Sequence, residues 1–147
     1  MNHPSLAVLE SEMNQLAKQF PSAKLPPNCS GYLKTEFVEY ESRTMLKVRV
    51  PVFEESLNPM GTMQGGIISA AFDNTFGPLS YLAVRNPCTT LDIHTNFIRP
   101  AKEGDVLTIT ARVISRSPVS IHLSGEAVNE KGKLIATCTS QMVVMKM

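Results

Sequence analysis

The stretch from Asn58 to Gly77, NPMGTMQGGIISAAFDNTFG, decides the fold. It begins as a loop, punctuated by Asn58, Pro59 and Gly61, and turns apolar after the Gly65–Gly66 pair. Ile68, Phe72 and Leu79 recur on one apolar face, which predicts a long central helix from Gly66 to about Val84. Gly66, Ala70, Asp73, Gly77 and Ser80 also fall at helical spacing, and each is small or short. That stripe lets another backbone or a ligand come close. Pro78 predicts a kink or break near Gly77. Between Phe72 and Phe76 sits a carboxylate, Asp73, whose burial is costly unless it is paired or hydrogen-bonded.

On the N-terminal side, Leu6, Leu9, Met13, Leu16 and Phe20 describe one stripe of an amphipathic helix over Ser5–Phe20, with Ser5 as its cap. The segment FPSAKLPPNCSG reads as a connector, because its prolines forbid a helix interior. Strand patterns follow over Gly31–Tyr40 and Thr44–Val52, then a loop from Glu54 to Gly61. Beyond the helix the alternation runs over Thr89–Ile98, Val106–Ser115, Val119–Val128 and Leu134–Met145, joined by short turns. Four consecutive alternating strands predict an antiparallel sheet with the helix on one face, an α+β architecture.

The chain has 147 residues, 43% hydrophobic and 18% charged, with a net charge of +1. Its length predicts one domain over residues 1–147, with an N-terminal helix and connector over 1–30 and a core over 31–147. The charge offers no footprint for nucleic acid or an anionic membrane. No apolar run is long enough to span a bilayer, and the N-terminus lacks a basic secretion signal, so the expected location is cytoplasmic. Cys29, Cys88 and Cys138 lie far apart, which suits a reducing compartment, and Cys138 reads as core packing. No metal is implied by the spacing of His, Cys, Asp and Glu.

The chemistry concentrates on the long helix. Its first amides lack intrahelical acceptors and carry the positive end of the dipole. Glycine at 65 and 66 leaves them unshielded, so an approaching carbonyl would be stabilised as an oxyanion. Equally, the glycines serve a tight turn or close packing. Burial of Asp73 would raise its pKa toward the range of a general base. Alternatively Asp73 is structural, held by Ser69, Asn74 or a strand hydroxyl. Gly65 and Asp73 are eight residues apart, about 12 Å along a helix. One reacting carbon needs contacts of roughly 3–3.5 Å. If both groups are catalytic, they must come from two antiparallel copies, with the site at a dimer interface.

NPMGTMQGG leading to Asp73, with TLDIHTNFIRPAKEGD as the following strand and turn, resembles the hotdog-fold acyl-CoA thioesterases of the phenylacetate-pathway (PaaI-like) group. The resemblance covers about residues 31–145. It implies a hotdog fold: a curved antiparallel sheet wrapped around one long central helix, here with an extra N-terminal helix. It further implies hydrolysis of an acyl- or aryl-CoA thioester to free acid and CoA, without a cofactor, by homodimers that commonly form tetramers. Asp73 would be the base that activates water, or the nucleophile; Gly65 the oxyanion donor; Asn58 an orienting group; and Thr90 the hydroxyl that binds water. Gln64 stands where the family usually has histidine, and it cannot titrate. The acyl group is expected near Gly66, Gly77, Phe72, Phe76 or Met63, and the CoA phosphates near Arg99, Lys102 or Arg116. A non-catalytic acyl-CoA or fatty-acyl binding protein on the same fold is the alternative. A dehydratase or hydratase would need a His/Asp or His/Glu pair, and the helix carries no histidine.

Overall fold

The computed structural model describes residues 3–146. Helix α1 (Ser5–Gln19) and a short helix α2 (Asn28–Tyr32) precede strands β1 (Glu36–Glu41) and β2 (Met45–Pro51). A single 3₁₀ turn at Glu54–Ser56 leads into the long helix α3 (Gly65–Val84). Strands β3 (Cys88–Phe97), β4 (Val106–Arg116), β5 (Ser120–Val128) and β6 (Leu134–Val144) complete the chain. They form one antiparallel sheet in the order β1-β2-β4-β5-β6-β3. The expected elements are present to within a few residues, except α2, whose Asn28–Tyr32 was assigned to the connector and the start of a strand.

The sheet covers α3 because each strand turns one set of alternate side chains toward it. Leu46, Val48 and Val50 of β2, Leu107 and Ile109 of β4, and Ile121 and Leu123 of β5 are fully buried. From the helix come Phe72, Phe76 and Leu79, also fully buried. A close approach is at Gly125 of β5. A Cβ there would meet Phe72 Cδ1, Phe76 Cε1 and Phe76 Cζ, each at 3.1 Å. The two rings stack with centroids 6.0 Å apart and occupy the space that this glycine leaves.

Helix α3 runs unbroken through Pro78, contrary to the expected break. Pro78 has no N–H to offer the Asn74 carbonyl, but it is buried, and the helix continues past it. The helix ends at Arg85 in the left-handed conformation (φ 57°). Arg43 Nε and Nη2 donate to the Ala83 carbonyl in the last turn at 3.0 and 2.8 Å.

Helix α1 lies across β1 and touches α3, burying Leu9, Met13 and Leu16. Ser5 does not cap it: the cap position is Pro4. The Ser5 hydroxyl instead accepts the Tyr40 N–H from β1 at 2.9 Å, tying helix to strand. Tyr40 in turn donates its hydroxyl to Glu12.

Replacing Gly125 by valine forces branched carbons into the Phe72–Phe76 rings. The expected loss is about 1–3 kcal/mol of stability, or more. Urea denaturation of the two proteins checks it, and an unchanged midpoint overturns this account of the core.

Candidate functional site: two half-sites on one helix

Asp73 is half-buried rather than enclosed, and Thr90 Oγ1 of β3 donates to its Oδ1 at 3.0 Å. A β-bulge produces this contact. The β3–β6 register shifts between Thr90 and Asp92, leaving Leu91 extra and 61% exposed. Strict alternation puts Thr90 on the same side as Asp92, His94 and Asn96, facing away from α3. The extra residue reverses the parity, so Thr90 joins Ile93, Thr95 and Phe97 on the helix side. Thr95 meets Ser69 of α3 at 2.8 Å, and Phe97 lies against Gly65.

A cavity of about 250 Å³ opens beside Asp73. Asp73, Gly77 and Tyr81, at i, i+4 and i+8 on α3, form one wall, and Thr90, Cys88 and Met142 of the sheet form another. The third wall is the connector between α1 and α2, through Ala23, Lys24, Leu25 and Pro27, with Cys29 of α2 beside it. Asn74 Nδ2 donates to the Cys29 carbonyl at 3.0 Å and clips the first turn of α2, where the connector ends, to α3 beside Asp73. Asp73 and Lys24 are the charged groups of this lining. Burial pushes up the pKa of both the Tyr81 phenol and the Cys88 thiol, so both stay neutral. The same effect at Cys138 agrees with a packing role.

The other half lies at the start of α3. Gln64 is the N-cap, and its Oε1 accepts the Ile67 N–H at 2.9 Å. The amides of Gly65 and Gly66 find no acceptor among the described residues. A Cβ on Gly65 would come within 3.1 Å of Phe97 Cζ, and one on Gly66 within 2.9 Å of Gln64 Oε1. Close packing bears on both missing side chains, against a ring at Gly65 and against the tip of a flexible side chain at Gly66, and the free N–H groups come in addition. The adjoining hollow, about 360 Å³, is lined by Asn58, Met63, Gly65, Phe97 and Arg99 among others.

Asn58 organises the loop before the helix. Its Oδ1 accepts from Met60 and Thr62 N–H at 2.9 and 3.1 Å, and its Nδ2 donates to Thr62 Oγ1 at 2.9 Å. Lys102 sits beside this loop, in a backbone bridge with Thr62. Arg99 Nη1 donates to the Leu134 carbonyl at 3.0 Å.

Three expected substrate contacts are corrected. Phe72 and Phe76 point into the sheet and line neither hollow. Arg116 Nη1 donates to the carbonyls of Arg43 and Ala83 at 3.1 and 3.3 Å, capping the far end of α3. The connector wall and Tyr81 are additions. Tyr81 was legible as the continuation of the Asp73–Gly77 stripe; the connector's folding back carried no local signal.

Residues 60–136, just over half of the chain, match the Thioesterase superfamily. Human acyl-coenzyme A thioesterase 13 is 32% identical over 88 residues, which are 58% of this chain and 62% of that one. The chain thus spans less than two thirds of the length of the curated relatives it matches. The E. coli PaaI protein from the phenylacetic acid degradation operon superimposes with a TM-score of 0.80 at 20% identity, over 94% of this chain and 96% of that one. A Streptococcus mutans protein bound to acetyl CoA gives 0.72 at 25% identity, over 76% and 88%. The sheet wrapped on α3 is the hotdog fold, and the chain belongs to the Thioesterase superfamily.

Proposed function

We propose that the protein is an acyl-CoA thioesterase that hydrolyses an acyl- or aryl-CoA thioester to free acid and CoA, at sites shared by two protomers. The observation that carries this reading is the split of the chemistry: an acid with a hydroxyl partner in one hollow, and unsatisfied helix amides in another. Eight residues of one rigid helix separate them, about 12 Å. Neither half suffices alone. Two copies placed antiparallel bring Asp73 of one against Gly65 of the partner subunit, twice.

Strand β3 is the edge through which such copies would meet. It is ten residues long and terminal in the sheet. Phe97 and Ile98 at its end are 55% and 50% exposed. The opposite edge, β1, carries Glu36, Glu39 and Glu41 and is crossed by α1, which discourages pairing there.

In the reaction, water adds to the thioester carbon while Asp73 takes its proton. Thr90 spends its hydroxyl proton on Asp73 Oδ1, so its oxygen is free to accept from that water. The carbonyl oxygen becomes an oxyanion facing the Gly65 N–H at the positive end of α3. The C–S bond then breaks, and the CoA sulfur leaves with the proton from Asp73. No cofactor takes part. Arg99 and Lys102 border the Gly65 half, where the CoA phosphates would emerge.

One observation favours a second reading, a non-catalytic acyl-CoA binding protein. Gln64 commits its carbonyl to the helix cap and has no proton to exchange. Thiol release from an acyl-CoA panel separates the two. Turnover by the natural chain supports the hydrolase. Saturable binding without turnover, with turnover appearing in Gln64→His, supports the binder. Gln64→Ala, by removing the cap, is expected to cost about 0.5–1 kcal/mol in urea denaturation.

Asp73→Ala is expected to lower thiol release about 10²–10⁴-fold with the fold intact. Gly65→Pro removes the helix-end N–H; proline suits the first helical position, and the exposed Phe97 ring has to give by a few tenths of an ångström to admit its Cβ. The extended Gln64 backbone (φ −62°, ψ 136°) tolerates a following proline. Each variant alone should be inactive. Exchanged together, half the dimers are mixed and each holds one intact site, so about a quarter of wild-type activity should return. Full activity of either variant, or no recovery on mixing, rules out the shared site.

A further inference from the structure

We infer that the connector between α1 and α2 is the size gate of the acyl pocket, with Leu25 facing Tyr81 as the pair that limits acyl bulk. This rests on the hydrolase reading for its kinetic test, but its binding test stands without turnover.

Three observations lead there. First, the Asp73 cavity continues past the carboxylate along Gly77 to Tyr81, away from the helix N-terminus. A thioester held at Asp73 must point one end that way, and the lining is mainly apolar: Leu25, Pro27, Pro78, Tyr81 and Met142. Such a wall suits an acyl chain and repels phosphate. Second, the connector is fastened rather than draped. Asn74, itself 9% exposed, holds the Cys29 carbonyl in α2, which anchors the connector's C-terminal end, and Leu25 packs on the core from its half-buried position. Third, the connector precedes residues 60–136, the span that matches the family. The half-site residues from Asn58 to Thr90 lie almost wholly inside that span, while this wall of the pocket is built from sequence outside it.

Volume sets the class of acyl group. An apolar cavity of about 150 Å³ accepts benzene, and pockets for drug-sized ligands start at about 300 Å³. At about 250 Å³ this one suits a monocyclic aryl or medium straight-chain acyl group. A long fatty chain outgrows this hollow and meets the connector wall first.

Two experiments test the gate. In the first, kcat/KM is measured with acetyl-, octanoyl- and palmitoyl-CoA for the natural chain, Leu25→Trp and Leu25→Ala. Discrimination of about 10–200-fold per methylene-sized change is the usual scale for an apolar pocket. The octanoyl/acetyl ratio should fall at least about 10-fold in Leu25→Trp, and the palmitoyl/octanoyl ratio should rise in Leu25→Ala. Identical ratios in three active proteins overturn the gate. In the second, Cys29, the exposed one of the three free thiols, is alkylated with a maleimide. A non-hydrolysable thioether of CoA carrying an octyl chain should slow labelling, while CoA alone should not. Equal rates overturn the gate whether or not the protein turns over. Protection without thiol release leaves the gate standing and removes the hydrolase reading.

Discussion

Two phenyl rings stacked over one glycine fix the rotation of α3, and the rest of the site follows from that rotation. Phe72 and Phe76 fill the space above Gly125, where no side chain fits. Neighbouring helical positions differ by about 100°, so placing Phe72 inward turns Asp73 toward the flank. Rotating the helix by one residue would bury the carboxylate and expose a ring. Losing one buried ring costs about 1.5–3 kcal/mol, and burying an unpaired charge costs more. The flank that results carries Asp73, Gly77 and Tyr81 one above another. The core thus aims the acid, and the acid's own contacts are few: among the described residues a single threonine hydroxyl holds it.

The β3 bulge is the second device, and it acts through parity. A strand has only two faces, so one additional residue exchanges everything on one side of it. Here the exchange affects Thr90 and Cys88 and leaves Ile93, Thr95 and Phe97 in place. Without it the hydroxyl beside Asp73 would face the outer side with His94, and the carboxylate would lose its partner. The exposed Leu91 is the residue displaced by this arrangement, so its exposure is a consequence of the site rather than a flaw in the strand.

The sequence patterns were legible where solvent and core alternate regularly. Helix α1, helix α3 and five of the six strands lie within a few residues of their expected positions; β1 begins later because α2 occupies Asn28–Tyr32. The pairing of Asp73 with a strand hydroxyl was among the open readings. Periodicity separates inside from outside, but it does not say which interior surface a residue meets. Phe72 and Phe76 therefore read equally as pocket or core, and only Gly125, more than forty residues away, decides between them. Arg116 reads as an exposed cation until the carbonyl of Ala83 is brought beside it. The bulge depends on β6 as well as β3, and the connector's path depends on Asn74; neither leaves a trace in its own segment.

The start of α3 combines stability and chemistry in the same residues. Gly65 is small because Phe97 lies on it, and Gly66 because the Gln64 side chain folds over it. Both causes are structural, yet both leave amides free at the positive end of a 20-residue helix. Gln64 shows how narrowly the two roles can be separated. Its carbonyl accepts the Ile67 N–H, a task that an unprotonated imidazole nitrogen also performs, so glutamine in place of histidine preserves the cap. What glutamine removes is a second titrating group. On the hydrolase reading, proton transfer at this site then falls to Asp73 alone, and the helix end contributes only a fixed field. On that reading position 64 shapes the helix end without entering the proton balance.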